Sequence, residues 1–157
     1  MKEPSNSKQV SIPDASQMKF GIVISEWNAA ITSSLHEACK KVLVEHGAKP
    51  KNIISKNVPG SFELPLGAQM LYESHKVDAV ICLGCIIQGE TRHFDFICEA
   101  VSNGIMQLNL KYNAPFIFGV LTPNNMEQAK QRAGGKLGNK GIEAALTAIK
   151  MVAIKAS

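Results

Sequence analysis

The sequence has no apolar run long enough to cross a bilayer, only one tryptophan and two tyrosines, and no tract in which basic residues alternate with aromatics. The first absence excludes a membrane-spanning helix, which needs about 20 consecutive apolar residues. The last removes the basis for a nucleic-acid groove, because net charge is only +4 over 157 residues and the lysines are scattered. A mild positive field of this kind still helps to collect an anionic substrate. Met1 to Gln17 lacks the apolar core of a signal peptide, so the chain is read as cytoplasmic. Repeats, low-complexity tracts and linkers are missing too. With 45% apolar and 19% charged residues the composition is that of an ordinary globular chain. Residues 1–17 are expected as a flexible arm and 18–157 as a single domain with a full core.

Cysteine is present but not in a useful arrangement. Cys82 and Cys85 are spaced as C-x-x-C, which at a turn would indicate redox or zinc chemistry. Here they fall inside an apparent strand, where residues three apart point to opposite faces. That geometry disfavours a disulfide and a shared metal, and all four cysteines are expected to be buried thiols.

What the chain does have is a regular alternation of strand and helix patterns. Strands are expected at Lys19–Ser25, Asn52–Val58, Asp78–Ile87 and Pro115–Leu121. Helices are expected from Asn28 to Gly47, from Leu64 to Ser74, from about Arg92 to Tyr112, briefly from Asn125 to Ala133, and from about Lys140 to Ile154. The inner face of the last is assigned to Ile142, Ala145, Leu146, Ile149 and Val152. A short strand at Gln9–Ile12, before Pro13, would need a partner, which a neighbouring subunit could supply. Such alternation implies a four-stranded parallel sheet with helices on both sides, a three-layer α/β/α sandwich of the flavodoxin-like kind.

In that architecture ligands collect at the carboxyl ends of the strands. Four segments meet there: Trp27–Asn28, Ser61–Glu63, Gln88–His93 and Leu121–Asn124. The third carries the most chemistry. Gly89, Glu90 and Thr91 turn the chain from strand into helix, with Thr91 as N-cap, and so present backbone N–H groups and the positive end of a helix dipole to an anion. Glu90 would repel that anion unless its side chain faces away; the alternative is a plain capped helix start. A free imidazole has a pKa of about 6.5, so a histidine in the first helical turn, here His93, is a residue type suited to proton transfer. As a surface histidine it would do nothing. Trp27 and Phe62 are either core residues or stacking platforms for a flat ring. Glu63 either answers the helix dipole or accepts hydrogen bonds from hydroxyls. Arg132 and Lys140 flank a glycine-rich turn, either solvating it or holding phosphate. Phe118 reads as core on pattern alone.

Four segments together resemble the lumazine synthase family: PGSFELP (Pro59–Pro65), LGCIIQGETRHFDFI (Leu83–Ile97), FGVLT (Phe118–Thr122) and RAGGKLGNKG (Arg132–Gly141), in the family's order and over about residues 18–155. The resemblance implies a transferase of riboflavin biosynthesis, acting at its penultimate step. It would condense 5-amino-6-(D-ribitylamino)uracil with 3,4-dihydroxy-2-butanone 4-phosphate, giving 6,7-dimethyl-8-ribityllumazine, phosphate and water, with neither metal nor organic cofactor. It implies that His93 moves protons and that Gly89, Glu90, Thr91 and Arg132 hold phosphate. Trp27 would stack on the pyrimidine, Ser61, Phe62 and Glu63 would line the ribityl chain with Asn28 close by, and Cys85, Ile86 and Ile87 would offer backbone groups. The family's site lies between subunits of a pentamer, so Phe118, Arg132 and Lys140 would come from a neighbour. Twelve pentamers can form a sixty-subunit shell, and riboflavin synthase is a further partner. Two positions depart from the pattern. Gln88 stands where many members have a basic residue, a loss that Arg92 could offset, and Leu137 stands where Ala or His is common. A different class of function, a non-catalytic flavin or lumazine carrier on the same scaffold, would use Trp27 equally well.

Overall fold

The structure, a computed structural model, describes residues 10–157. Four parallel strands form one sheet in the order β2-β1-β3-β4, with β1 at Phe20–Ser25, β2 at Ile53–Val58, β3 at Ala79–Cys85 and β4 at Phe116–Leu121. The central strands β1 and β3 are buried along their whole length, as their unbroken apolar runs require. β2 is a half-exposed edge. Helices α1 (Ala29–Glu45) and α5 (Lys140–Ala156) cover one face, and α2 (Leu64–Ser74) and α3 (His93–Tyr112) the other. This is the expected flavodoxin-like sandwich.

Strand periodicity divides the core in two. Ala79, Ile81, Leu83 and Cys85 of β3 pack with α1 and α5, whereas Val80 and Cys82 pack with α2 and α3. Cys82 and Cys85 therefore lie on opposite sides of the sheet, which separates the C-x-x-C pair as anticipated. Cys39, Cys82 and Cys85 are buried; Cys98 is only half-buried, which corrects the expectation for that residue. It lies on α3, whose upper turns are left partly uncovered by α2.

Several boundaries differ from expectation. β3 stops at Cys85, because its ladder to β4 ends at the Cys85–Leu121 rung and that to β1 earlier, at Ile24–Leu83. Helix α3 begins at His93. Thr91 Oγ1 accepts the His93 N–H at 3.4 Å, while Arg92 occupies the cap position. The short helix α4 spans only Met126–Gln131, and the glycine-rich stretch after it is a hairpin, β5 (Ala133–Gly135) with β6 (Gly138–Asn139), rather than a plain break. Gly134 and Gly138 make it, at φ of 108° and 86°. On α5 the buried face is Gly141, Ala144, Ala145, Ala148 and Ile149, and Ile142 is exposed. Small residues win because α5 packs closely on α1: a Cβ at Gly141 would stand 2.0 Å from Leu35 O.

Of the strand expected over Gln9–Ile12, Gln9 lies outside the described residues, and Val10–Ile12 pair with no strand among the described residues. Ala15 is fully buried, and its amide donates to His46 O at 2.8 Å.

One polar contact ties α1 to the edge strand: His36 Nε2 lies 2.8 Å from Ser55 Oγ. Burial, aided by Lys40 and opposed by Glu37, lowers the His36 pKa below 6.5. The unfolded chain then binds this proton at a higher pH than the folded one, so stability rises with pH between the two values. His36 should therefore leave stability intact above about pH 6.5 and erode it as the pH falls through that window. Denaturant titrations over this range should show a shallower pH slope in His36→Gln. An equal slope would mean that His36 does not change protonation on unfolding.

Candidate active site

The chain leaves β1 through Glu26, Trp27 and Asn28, and two hydrogen bonds hold this loop to its neighbours. Glu26 N–H donates to Val58 O at 2.8 Å, and Asn28 Nδ2 donates to Cys85 O at 2.9 Å. Asn28 is left-handed (φ 60°), a conformation that asparagine tolerates better than most residues. The tight turn throws the Trp27 side chain outward, where it is 72% exposed. A tryptophan in that state is not core, which resolves the first ambiguity.

A second wall comes from the single 3₁₀ turn Ser61–Glu63 that precedes α2. Ser61 points inward and is buried, while Phe62, 58% exposed, and Glu63 point out. Gly84 of β3 makes this approach feasible: a Cβ there would come within 2.6 Å of Ser61 Oγ and 2.9 Å of Leu64 Cδ1.

The third wall is the extended segment after β3. Ile86 N–H donates to Leu121 O (2.8 Å) and Gln88 N–H to Pro123 O (3.0 Å). In extended chain the peptide groups of alternate residues face opposite ways. Those of Cys85 and Ile87 therefore face the β1 side, and the Cys85 carbonyl already receives Asn28. Of the three residues expected to offer backbone groups, Ile86 has its N–H committed to β4, and Ile87 has its peptide groups on the cleft side. The chain then passes Gly89 and Thr91 to His93, exposed at the head of α3.

These walls enclose a cleft of about 300 Å³ lined by Trp27, Ser61, Phe62, Glu63, Cys85, Ile86, Ile87, Gly89, Thr91 and His93 together with Gly60, Phe94 and Ile97. Asn28 and Glu90 fall outside this lining. Asn28 braces the floor through Cys85, and Glu90 is exposed to solvent. Among the described residues, its chain neighbours aside, nothing lies within 4 Å of a Cβ placed at Gly89, so that glycine leaves open space at the mouth.

Phe118, Arg132 and Lys140 are not in this cleft. They line a second one of about 500 Å³, with Leu121, Thr122, Pro123, Gln128 and Leu137. Phe118, read as core from pattern, is 38% exposed on the open side of β4. The hairpin fixes the two cations: Lys140 N–H donates to Arg132 O at 2.9 Å, Ser34 Oγ donates to Ala133 O at 2.7 Å, and buried Asn139 caps α5 by accepting Gly141 N–H at 2.8 Å. The segment Ile86–Gln88, bonded to Leu121 and Pro123, is the partition between the clefts.

A family model described as 6,7-dimethyl-8-ribityllumazine synthase matches residues 17–156. Proteins named 6,7-dimethyl-8-ribityllumazine synthase are similar throughout: that of Cytophaga hutchinsonii is 64% identical over 142 residues, covering 90% of this chain and 89% of its own length. That of Parabacteroides distasonis is 57% identical with the same coverage, and that of Bacteroides fragilis 56% identical over 86% of this chain and 94% of its own. The chain belongs to the lumazine synthase family. It is accordingly an enzyme of riboflavin biosynthesis, a transferase in class. No helix of the described residues is long and apolar enough to cross a membrane.

Reading the sequence missed three residues that line the lumazine synthase cleft. Phe94 and Ile97 carried a signal, the helical spacing of α3, but that spacing reads as core. Gly60 carried none; Gly84, behind the lining, is explained only by the closeness of the Ser61 turn to β3.

Burial pushes the Cys85 thiol up to about 11 and those of Cys39 and Cys82 to about 12. Cys85 is thus a protonated wall of the cleft near neutral pH and a poor nucleophile. A thiol–disulfide exchange reagent at pH 8 should leave Cys39, Cys82 and Cys85 intact in the native protein and titrate all four thiols in denaturant. Rapid labelling of Cys85, located by peptide mapping, would contradict its assignment as inert.

Proposed function

We propose that the protein condenses 5-amino-6-(D-ribitylamino)uracil with 3,4-dihydroxy-2-butanone 4-phosphate into 6,7-dimethyl-8-ribityllumazine, releasing phosphate and water, the penultimate step of riboflavin formation. The observation that carries this reading is the division of groups between the two clefts. One holds a stacking indole, a carboxylate, a helix N-terminus and an imidazole, but neither Arg nor Lys lines it. The other holds Arg132, Lys140 and the exposed Phe118. A phosphorylated substrate needs both sets. A second copy that set its Phe118–Lys140 cleft against the Trp27–His93 cleft would complete the site, as in a ring of subunits such as a pentamer.

In this arrangement Trp27 stacks on the pyrimidine, and the Ile87 peptide groups, on the cleft side by alternation, meet its polar edge. Phe62 and Glu63 take the ribityl chain, Glu63 by accepting hydroxyl protons. The phosphate lies at the head of α3, where Gly89 leaves room, Thr91 donates its hydroxyl, and Arg132 of the neighbouring copy supplies a forked cation.

The uracil's 5-amino nitrogen attacks the ketone carbon, and the carbinolamine loses water to an imine. A proton leaves the adjacent carbon and phosphate departs with the C–O electron pair. The C3 enol that elimination leaves tautomerises to a ketone, the ribitylamino nitrogen attacks this new carbonyl, and a second water is lost as the ring closes. Each step moves a proton at an atom near His93, which can accept and return it in turn. The phosphate leaves with its charge already held by N–H groups and Arg132. Holding two reactants in one cleft supplies much of the rest, so no covalent intermediate with Cys85 is required.

Mixing the protein with both substrates should generate the fluorescence of the lumazine product. A carrier would bind that product without hastening its formation. His93→Ala should lower turnover roughly 10²-fold, whereas Arg132→Ala should chiefly raise the Michaelis constant for the phosphate substrate. Full turnover without His93, or an unchanged constant without Arg132, would remove that residue from its role. The shared site makes a sharper demand: at a phosphate-substrate concentration far below the raised Michaelis constant, dissociating, mixing and reassembling the two variants should give more activity than either has alone, because some sites then receive an intact His93 and an intact Arg132. Failure to complement, with oligomers shown to exchange, would place both residues in one chain's site.

A further inference from the structure

We propose that Ser25 and Ser61 hold one buried water between them, and that this water locks the turn forming the Phe62–Glu63 wall of the cleft. The two hydroxyl oxygens are buried side-chain atoms without a hydrogen-bond partner among the described residues. Ser25 is 0% exposed and Ser61 7%. A buried hydroxyl left unpaired costs stability, and native proteins satisfy such groups with ordered water where protein partners are lacking.

The backbone brings the two side chains to one place. Along β1, Phe20, Ile22 and Ile24 face α1 and α5, while Val23 faces α2 and α3. Alternation turns Ser25 to the α2 side as well. The last β1–β3 rung pairs Ile24 with Leu83, so the next position of each strand sets Ser25 beside Gly84. Ser61 reaches the same point from above, its Oγ lying 2.6 Å from where a Gly84 Cβ would be. Neighbouring strands are about 4.8 Å apart, so both hydroxyls flank the bare Cα of Gly84 at a spacing that one oxygen can bridge. Further donors on this turn are the Ser61 and Phe62 N–H groups, the Glu63 N–H being given already to Gly60 O at 3.2 Å.

A bridge at this point joins the exit of β1, two residues before Trp27, to the turn that carries Phe62 and Glu63. It would set the separation of two cleft walls. The inference concerns the empty protein and holds whatever reaction the cleft performs.

A high-resolution crystal structure of the unliganded protein should show an ordered water within hydrogen-bond distance of both Ser25 Oγ and Ser61 Oγ. Ser25→Ala and Ser61→Ala should each lose it and lower the melting temperature by roughly 2–4 °C. The double variant should lose no more than the larger single effect, since one shared water is removed in each case. Additive losses, a site without the water, or a higher melting temperature in either single variant would overturn the proposal; a rise is what removal of an unbridged buried hydroxyl would produce. None of these measurements uses substrate, so their failure is separate from failure of the proposed reaction.

Discussion

One side-chain hydrogen bond sits beneath the whole cleft: Asn28 Nδ2 to Cys85 O, at 2.9 Å. The β1–β3 ladder has ended two residues before Cys85, and beyond such an end adjacent strands ordinarily diverge with their peptide groups open to solvent. The Asn28 amide takes the place of the next rung. It continues the pairing past the sheet while its left-handed backbone reverses the chain into α1. Trp27, one residue earlier, is thereby forced outward. The exposure of a large aromatic side chain is thus a consequence of where a hydrogen bond had to be satisfied.

The same economy governs the rest of the edge. Gly84 removes a side chain so that Ser61 and Leu64 can close on β3, and α2 then starts close above the sheet. Past Cys85 the extended segment spends alternate peptide groups on β4's exit and leaves those of Ile87 to the cleft. Gly89 then leaves space that no side chain among the described residues fills. Each element therefore supplies its functional group as a by-product of paired backbone, and the cleft rests on rigid strand ends rather than on a mobile loop.

Much of this was legible from the residues. The unbroken apolar runs at β1 and β3 announced strands covered on both faces, and the alternation with helical patterns gave the parallel sandwich. The segments carrying Trp27, Phe62, Glu63, Thr91 and His93 were placed correctly at the carboxyl edge from strand–helix order alone. Phe118 was not, because periodicity reports that a strand is apolar and says nothing about whether its neighbour exists; β4 is the last strand, with no strand beyond it. The β5–β6 hairpin was read as a break, since three glycines weaken every local preference and contacts outside the hairpin, such as those with Ser34, help to define its shape. The inner face of α5 was misjudged for a related reason: hydrophobicity favoured Ile142, but close helix packing selected alanine and glycine.

The partition between the clefts has a further consequence. Ile86–Gln88 is bonded on one side to Leu121 and Pro123, which belong to the Arg132 side, and faces Trp27 with the other. The indole and the guanidinium thus stand back to back across a strand-like wall. Bringing them together within one chain would mean breaking those backbone bonds in a buried sheet end, where unpaired peptide groups are costly. On the proposed reading the cheaper solution is repetition: the β4-side surface of one copy meets the β1-side surface of the next. Two different surfaces of the same chain are then in contact, a heterologous interface, which closes into a ring whenever the rotation between copies divides a full turn. Catalysis and assembly then depend on the same surfaces, and a monomer with every residue in place would hold two half-sites facing apart.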